Sequence, residues 1–169
     1  MPDRQPDSRT LYFAGDVDEP GRPLPMTVEV LQARTEKWPM SPHTPEGVAA
    51  LLARSRRMFV DGYYTYENFF DAATRSLQAV EAALRVRFDA GEKIPFARLI
   101  DRAKDEHLVD DYTHDILHTG RELRNRQIHA TNLMVFPPVM AAQMIATSHK
   151  LVAEIFGSDK EVRSDGRDS

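Results

Sequence analysis

Between residues 65 and 90, apolar side chains recur every three or four positions for six turns: Phe70, Ala73, Leu77, Val80, Leu84 and Phe88. Arg75, Gln78, Glu81, Arg85 and Arg87 occupy the rest of the wheel. That period matches the 3.6 residues of an α-helical turn and cannot line one face of a strand, where alternate side chains point apart. A helix this long carries an apolar stripe that must be covered, and the rest of the chain offers helices to cover it.

The segments on either side have the same grammar. Thr44-Pro45-Glu46 reads as an N-cap, a first-turn proline and a first-turn acid, followed by Val48, Leu51, Leu52, Ser55, Met58 and Phe59 at helical spacing before Gly62. Gly91 ends the central helix, and Pro95 opens a shorter one carrying Phe96, Leu99, Ile100 and Ala103. Asp110 or Asp111 can cap DYTHDILHTGRELRNRQIH, with an apolar line of Tyr112, Ile116, Gly120 and Leu123 flanked by Leu117 and Ile128. Pro137-Pro138 breaks the chain and opens a last helix, which runs to Phe156 and is closed by Gly157. Short linkers make consecutive helices antiparallel, so the expected fold is all-α, an up-and-down bundle of about five helices.

The N-terminal part is mixed. LYFAGDV and MTVEVLQ have strand-like composition around the turn-rich DEPGRPLP, which fits a loose hairpin, although VEVLQARTEKW also fits the start of a helix. Residues 1–10 read as a frayed terminus, and everything after Gly157 is charged and nearly free of apolar residues. The chain therefore divides into an N-terminal extension (1–43, partly disordered), a bundle (44–157) and a disordered tail (158–169). Trp38, the lone tryptophan, is expected to pack the extension onto the bundle.

At 169 residues, one hydrophobic core is the default. No apolar run approaches the roughly 18 residues a membrane span requires. The opening MPDRQPDSRT is unlike an export signal, and the absence of cysteine removes disulfides, thiolate nucleophiles and Cys-based metal sites. A cytoplasmic protein is expected. The net charge of −4 excludes a whole-protein basic field for nucleic acid, so any RNA contact must come from a local patch.

Two clusters could carry chemistry. His107, His114, His118 and His129 fall within one stretch, and His114 and His118, four apart on one helix, can face the same ion, with Asp111 or Glu122 near enough to assist. The sequence lacks the glutamate of HExxH and offers neither a cysteine nor an obvious distant histidine as third ligand, so no metal or cofactor is expected and an interface-lining face is the preferred reading.

The second cluster is RELRNRQIHA, residues 121–130. An Arg-x(4–6)-His pattern arises about twice by chance in a chain of this composition, and Arg102–His107 is another match. Context separates them: Arg124 is followed by Asn125 late in a long helix, whereas Arg102 is followed by Ala103 in a short one. At about 100° per residue, Asn125 and His129 lie about 40° apart and Arg124 and His129 about 140° apart, so one regular helix cannot aim all three at a point. They converge if the helix loosens after Gln127, or if a second copy completes the site across a two-fold axis, with His114, His118, Arg121, Asn125 and His129 lining a cleft between protomers.

The helical run from about Thr44 to Phe156, with RNRQIH in its penultimate helix and SLQAVEAALR in its central one, resembles the HEPN superfamily of helical domains. The resemblance covers about two-thirds of the chain, and its Arg, Asn and His fall on Arg124, Asn125 and His129. It implies a dimeric, metal-independent endoribonuclease, often a toxin or defence effector, with motif helices facing each other through the 110–129 helix and a cyclic phosphate product. In that scheme His129 exchanges a proton with the 2′-hydroxyl or leaving oxygen, Arg124 stabilises charge on the scissile phosphate, and Asn125 orients His129 or a phosphate oxygen. Arg121, Arg126 and His118 are the candidate RNA contacts, although Arg126 by itself reads first as a solvated surface charge. An inhibitor or antitoxin protein is an implied partner. Some relatives carry a tyrosine two residues after the histidine as a target of nucleotide transfer; here that position is Thr131. Many members are non-catalytic, which makes a module binding a nucleotide, an RNA end or a partner protein the alternative. Two buried polar groups are also expected: His149 as a hydrogen-bonded core histidine, and Glu81 needing a partner such as Arg124.

Overall fold

The computed structural model describes residues 4–129 and 136–157, with side chains to 126 and again from 136. It is an all-α bundle. After a 3-10 turn (Thr10–Tyr12), a minimal antiparallel pair of strands, β1 (Asp16–Val17) and β2 (Pro23–Leu24), leads into six helices among the described residues. These are α1 (Val28–Glu36), α2 (Glu46–Asp61), α3 (Asn68–Phe88), α4 (Phe96–Asp105), α5 (Asp111–His129) and α6 (Pro138–Gly157). None is long and apolar enough to cross a membrane.

The central helix α3 buries all six residues of its periodic stripe, and α2 seals it with Val48, Leu52, Ser55 and Phe59. Polar atoms inside this seam are matched. Ser55 Oγ donates to the Ala72 carbonyl at 2.7 Å, and Ser148 Oγ of α6 to Ser76 Oγ at 3.1 Å. Leu77 of α3 lies under Gly120 of α5, while Glu81 lies near Arg124 one turn later in both helices. Helices α3 and α5 thus run parallel, as an up-and-down order requires of elements two apart.

The N-terminal segment departs from expectation in two ways. The MTVEVLQ half of the anticipated hairpin is helix α1: Thr27 caps it, its Oγ1 accepting from the Val30 amide at 3.2 Å. The strand that pairs with Asp16–Val17 at the end of the first arm is Pro23–Leu24, inside the expected turn. Thr27→Ala is expected to lower the unfolding free energy by about 1 kcal/mol, measurable by urea denaturation, because the Val30 amide loses its acceptor. Residues 4–10 are also docked and not frayed. The Asp7 amide donates to the Tyr63 carbonyl at 2.9 Å, and the Arg9 guanidinium bridges Asp7 and Glu67, at 2.7 Å each. That guanidinium holds the Asp7 carboxyl far below its usual range. Trp38 packs the segment down as expected, its ring 5.3 Å from Phe59 and 5.6 Å from His149. Residues 158–169, expected as a disordered tail, lie outside the described residues, as does Thr131.

Helix ends also differ in detail. Helix α2 starts at Glu46, and Thr44 Oγ1, expected as its cap, is buried without a hydrogen-bond partner. The left-handed residue that closes α3 is Asp89 (φ 47°), two positions before Gly91. Asp110 does cap α5, its Oδ1 accepting from the Thr113 amide at 2.7 Å.

Candidate functional site

Helix α5 meets the bundle on a face shifted toward Leu117 from the expected apolar line. Leu117 and Gly120 are the buried positions; Tyr112 is exposed, and Ile116 and Leu123 are half-buried. Gly120 sets the rotation, since a Cβ there would sit 2.8 Å from Leu77 Cδ1 and 2.3 Å from Met144 Cε. The close approach turns Arg124, four residues on, toward α3. The residues of the expected apolar line are left to edge a shallow groove of about 170 Å³ with Met140, Gln143 and Met144 of α6.

Arg124 is therefore half-buried. Its Nη1 lies 3.7 Å from Glu81 Oε2, and its guanidinium sits over the Phe96 ring at 5.9 Å. The pairing expected of Glu81 is present, but 3.7 Å is too long for a hydrogen bond. Glu81 is bound more closely by Arg85, at 2.7 Å. Three residues earlier on α5, Arg121 is also half-buried: its Nη2 stands 3.6 Å from Glu122, and its Nε is buried with no hydrogen-bond partner among the described residues. Asn125 and Arg126 are exposed. Positions 121, 124 and 125 are three and four apart, so they share one side of the helix. They form a polar patch with donor capacity beyond what the fold consumes.

The backbone is helical through His129, so the loosening after Gln127 that would bring the motif together within one chain is not seen. The side chains of residues 127–129 lie outside the described residues, and with them the third member of the motif.

The competing match is used up by the fold. Arg102 pairs with Glu106 at 2.7 Å and covers the Phe88 ring at 4.3 Å. His107 is the left-handed residue (φ 58°) that closes α4, with the Leu108 amide returning to the Ala103 carbonyl at 2.8 Å.

His114 and His118 do share one face, as their spacing requires, but they look across to α4. Both Nε2 atoms approach Asp101 Oδ1, at 3.1 and 2.9 Å, and their rings stack edge-on at 4.5 Å. The two hydrogen bonds, that from His114 first, hold the Asp101 carboxyl below its usual range. The sequence had nominated Asp111 or Glu122 as the third group. Asp111 instead pairs with Lys104 at 3.0 Å, and Glu122 stands beside Arg121. Asp101 escaped notice because its proximity depends on α4 folding back along α5 through the tight 106–110 turn. The available signal was the antiparallel register itself: a residue about nine before the α5 cap faces one soon after it.

No family model matches the chain, and neither a curated protein nor a solved structure matches it. The likeness to HEPN domains rests on the RNRQIH motif and on the order of the helices.

Proposed function

We propose that the chain is a HEPN-like RNA-recognising domain that works in the cytoplasm as a homodimeric, metal-independent endoribonuclease, as toxins and defence effectors of that type do. The observation that carries this reading is the polar patch late in α5. Arg121 and Arg124 are both half-buried, and Arg124 meets its carboxylate only at 3.7 Å. Guanidinium groups are forks suited to phosphate oxygens, and the part of each that stays exposed is open to a ligand.

In the chemistry that follows, a 2′-oxygen attacks the adjacent phosphorus and the bond to the 5′-oxygen breaks, leaving a cyclic phosphate. The 2′-proton goes to a base, and a proton returns to the 5′-oxygen. His129 is the group suited to that exchange near neutral pH, Arg124 stabilises the charge on phosphorus, and Asn125 orients either one. Arg121 and Arg126 extend the phosphate contacts along the strand. Because Arg124 and His129 point about 140° apart on a regular helix, the site needs the α5 of a second copy. The exposed Tyr112 of α5 and Met140 of α6, which edge the same groove, supply apolar area for that contact. An inhibitor protein covering the same helix would restrain the activity.

A specific observation favours a second reading. Glu81, half-buried, holds Arg124 on the α3 side, and a non-catalytic module that binds an RNA end, a nucleotide or a partner protein would need that arginine only for packing and charge balance. Total RNA incubated with and without EDTA with wild type, His129→Ala and Arg124→Ala separates the two. The enzyme reading predicts cleavage by wild type and a loss of about 100-fold or more in each variant. Equal inertness of all three selects the module, and activity abolished by EDTA rejects the metal-independent mechanism.

A further inference from the structure

We propose that Asp101, His114 and His118 bind a divalent first-row transition-metal ion, bridging α4 to α5. The proposal does not rest on the ribonuclease reading and concerns a different part of α5. One potential ligand atom from each residue lies within 4.8 Å of the other two, the only such group of three among the described residues. The separations from Asp101 Oδ1 to the two Nε2 atoms are 3.1 and 2.9 Å. Ligands about 2.0–2.1 Å from a tetrahedral zinc ion stand about 3.3 Å apart, so an ion enters by opening these distances a few tenths of an ångström.

The donor set has the right chemistry. Two imidazoles and one carboxylate suit zinc and its neighbours, whereas magnesium and calcium take oxygen ligands. The histidines sit on one face of a regular helix, four apart, and α4 supplies the third ligand from a second rigid element.

The surroundings of His114 suit a ligand. Its Nε2 faces Asp101 Oδ1 at 3.1 Å, and its Nδ1 faces Asp115 Oδ1 at 3.4 Å. With a metal ion on Nε2, Nδ1–H points at the Asp115 carboxylate, the arrangement in which metal-bound imidazoles are commonly held. Asp101 is half exposed, at 48%, which leaves the ion at least one coordination position open to water.

Titration of the full chain with Co²⁺ and Zn²⁺ tests this. One equivalent of Co²⁺ should produce the visible bands of a low-coordinate N/O site, and Zn²⁺ should displace it and raise the melting temperature reversibly with EDTA. His114→Gln/His118→Gln and Asp101→Asn should each abolish the stoichiometric signal. Asp115→Ala should keep the stoichiometry and weaken binding about 10-fold. Absence of a one-to-one signal in wild type overturns the proposal. So does undiminished binding in the double-histidine variant, which would mark an adventitious ion elsewhere. The wild-type titration decides the matter even if a variant fails to fold.

Discussion

Phe59→Ala is expected to lower the unfolding free energy by about 3–5 kcal/mol, the range for emptying a fully buried aromatic site. Phe59 has no exposed surface, and its ring is the second in a row of five aromatic rings whose contacts are edge-to-face except the last, which is tilted. Trp38 lies 5.3 Å to one side and Phe69 5.3 Å to the other, continuing to Tyr66 at 5.7 Å and Phe13 at 6.0 Å. One substitution therefore opens a cavity between α2 and α3 and cuts the link that ties the N-terminal segment to the bundle. Each lost ring pair adds about 0.5–1.5 kcal/mol beyond area burial. In a domain of this size the loss corresponds to about 10 °C or more in melting temperature. Phe59→Leu should recover more than half of it, and a loss under about 1 kcal/mol for alanine would contradict the packing described.

Acid should unfold the protein in a window set by His149. This imidazole is completely buried beside Trp38; its Nδ1 donates to the Pro39 carbonyl at 3.0 Å and its Nε2 accepts from Arg56 Nε at 3.4 Å. Arg56 is anchored in turn by the Trp38 carbonyl. Burial first, and the Arg56 charge second, push His149 down from 6.5 to about 4. The unfolded chain takes up this proton near pH 6.5, while the folded chain resists until about pH 4, so the unfolded state binds more protons between those values. The stabilisation is complete above about pH 6.5, is lost as pH falls toward about 4, and amounts to roughly 3 kcal/mol. Urea midpoints measured from about pH 7.5 down to about pH 4.5 should fall steeply in wild type. They should change little in His149→Gln. The carboxyls of Asp7 and Glu67, held low by Arg9, lose their contribution mainly below about pH 5, at the bottom edge of this window. An unchanged midpoint in wild type would contradict a neutral, buried His149.

The bundle was legible where a single helix carried its own signal. The stripe of α3 and the Asp110 cap of α5 follow from local spacing, and both appear where that spacing puts them. Helix α1 was ambiguous because Val28, Val30 and Leu31 satisfy either period over so short a stretch, and the Thr27 cap decided it. The rotation of α5 is offset from the expected line because Gly120 admits α3 to close range: Leu117 and Gly120 face the core, Ile116 and Leu123 flank them half-buried, and Tyr112 is left outside. Fixed by the same rotation, the 3.7 Å approach of Arg124 to Glu81 was expected from charge balance. Asp101 was not expected, because no local period relates it to His114 and His118. Local pattern thus identifies the elements, while the contacts between them depend on which face each one turns inward.

The ribonuclease reading of α5 makes one claim that the packing reading does not: Arg121 and Arg124 present their guanidinium groups to the phosphates of an RNA strand. The direct test is the affinity of a labelled single-stranded RNA for His129→Ala, which can bind without cutting, measured against salt concentration with and without Arg121→Ala/Arg124→Ala in addition. The account predicts weaker binding to every sequence tried and a log–log salt slope shallower by about 1.4, two phosphate contacts at about 0.7 each. Identical affinities and slopes with the two arginines removed would contradict it.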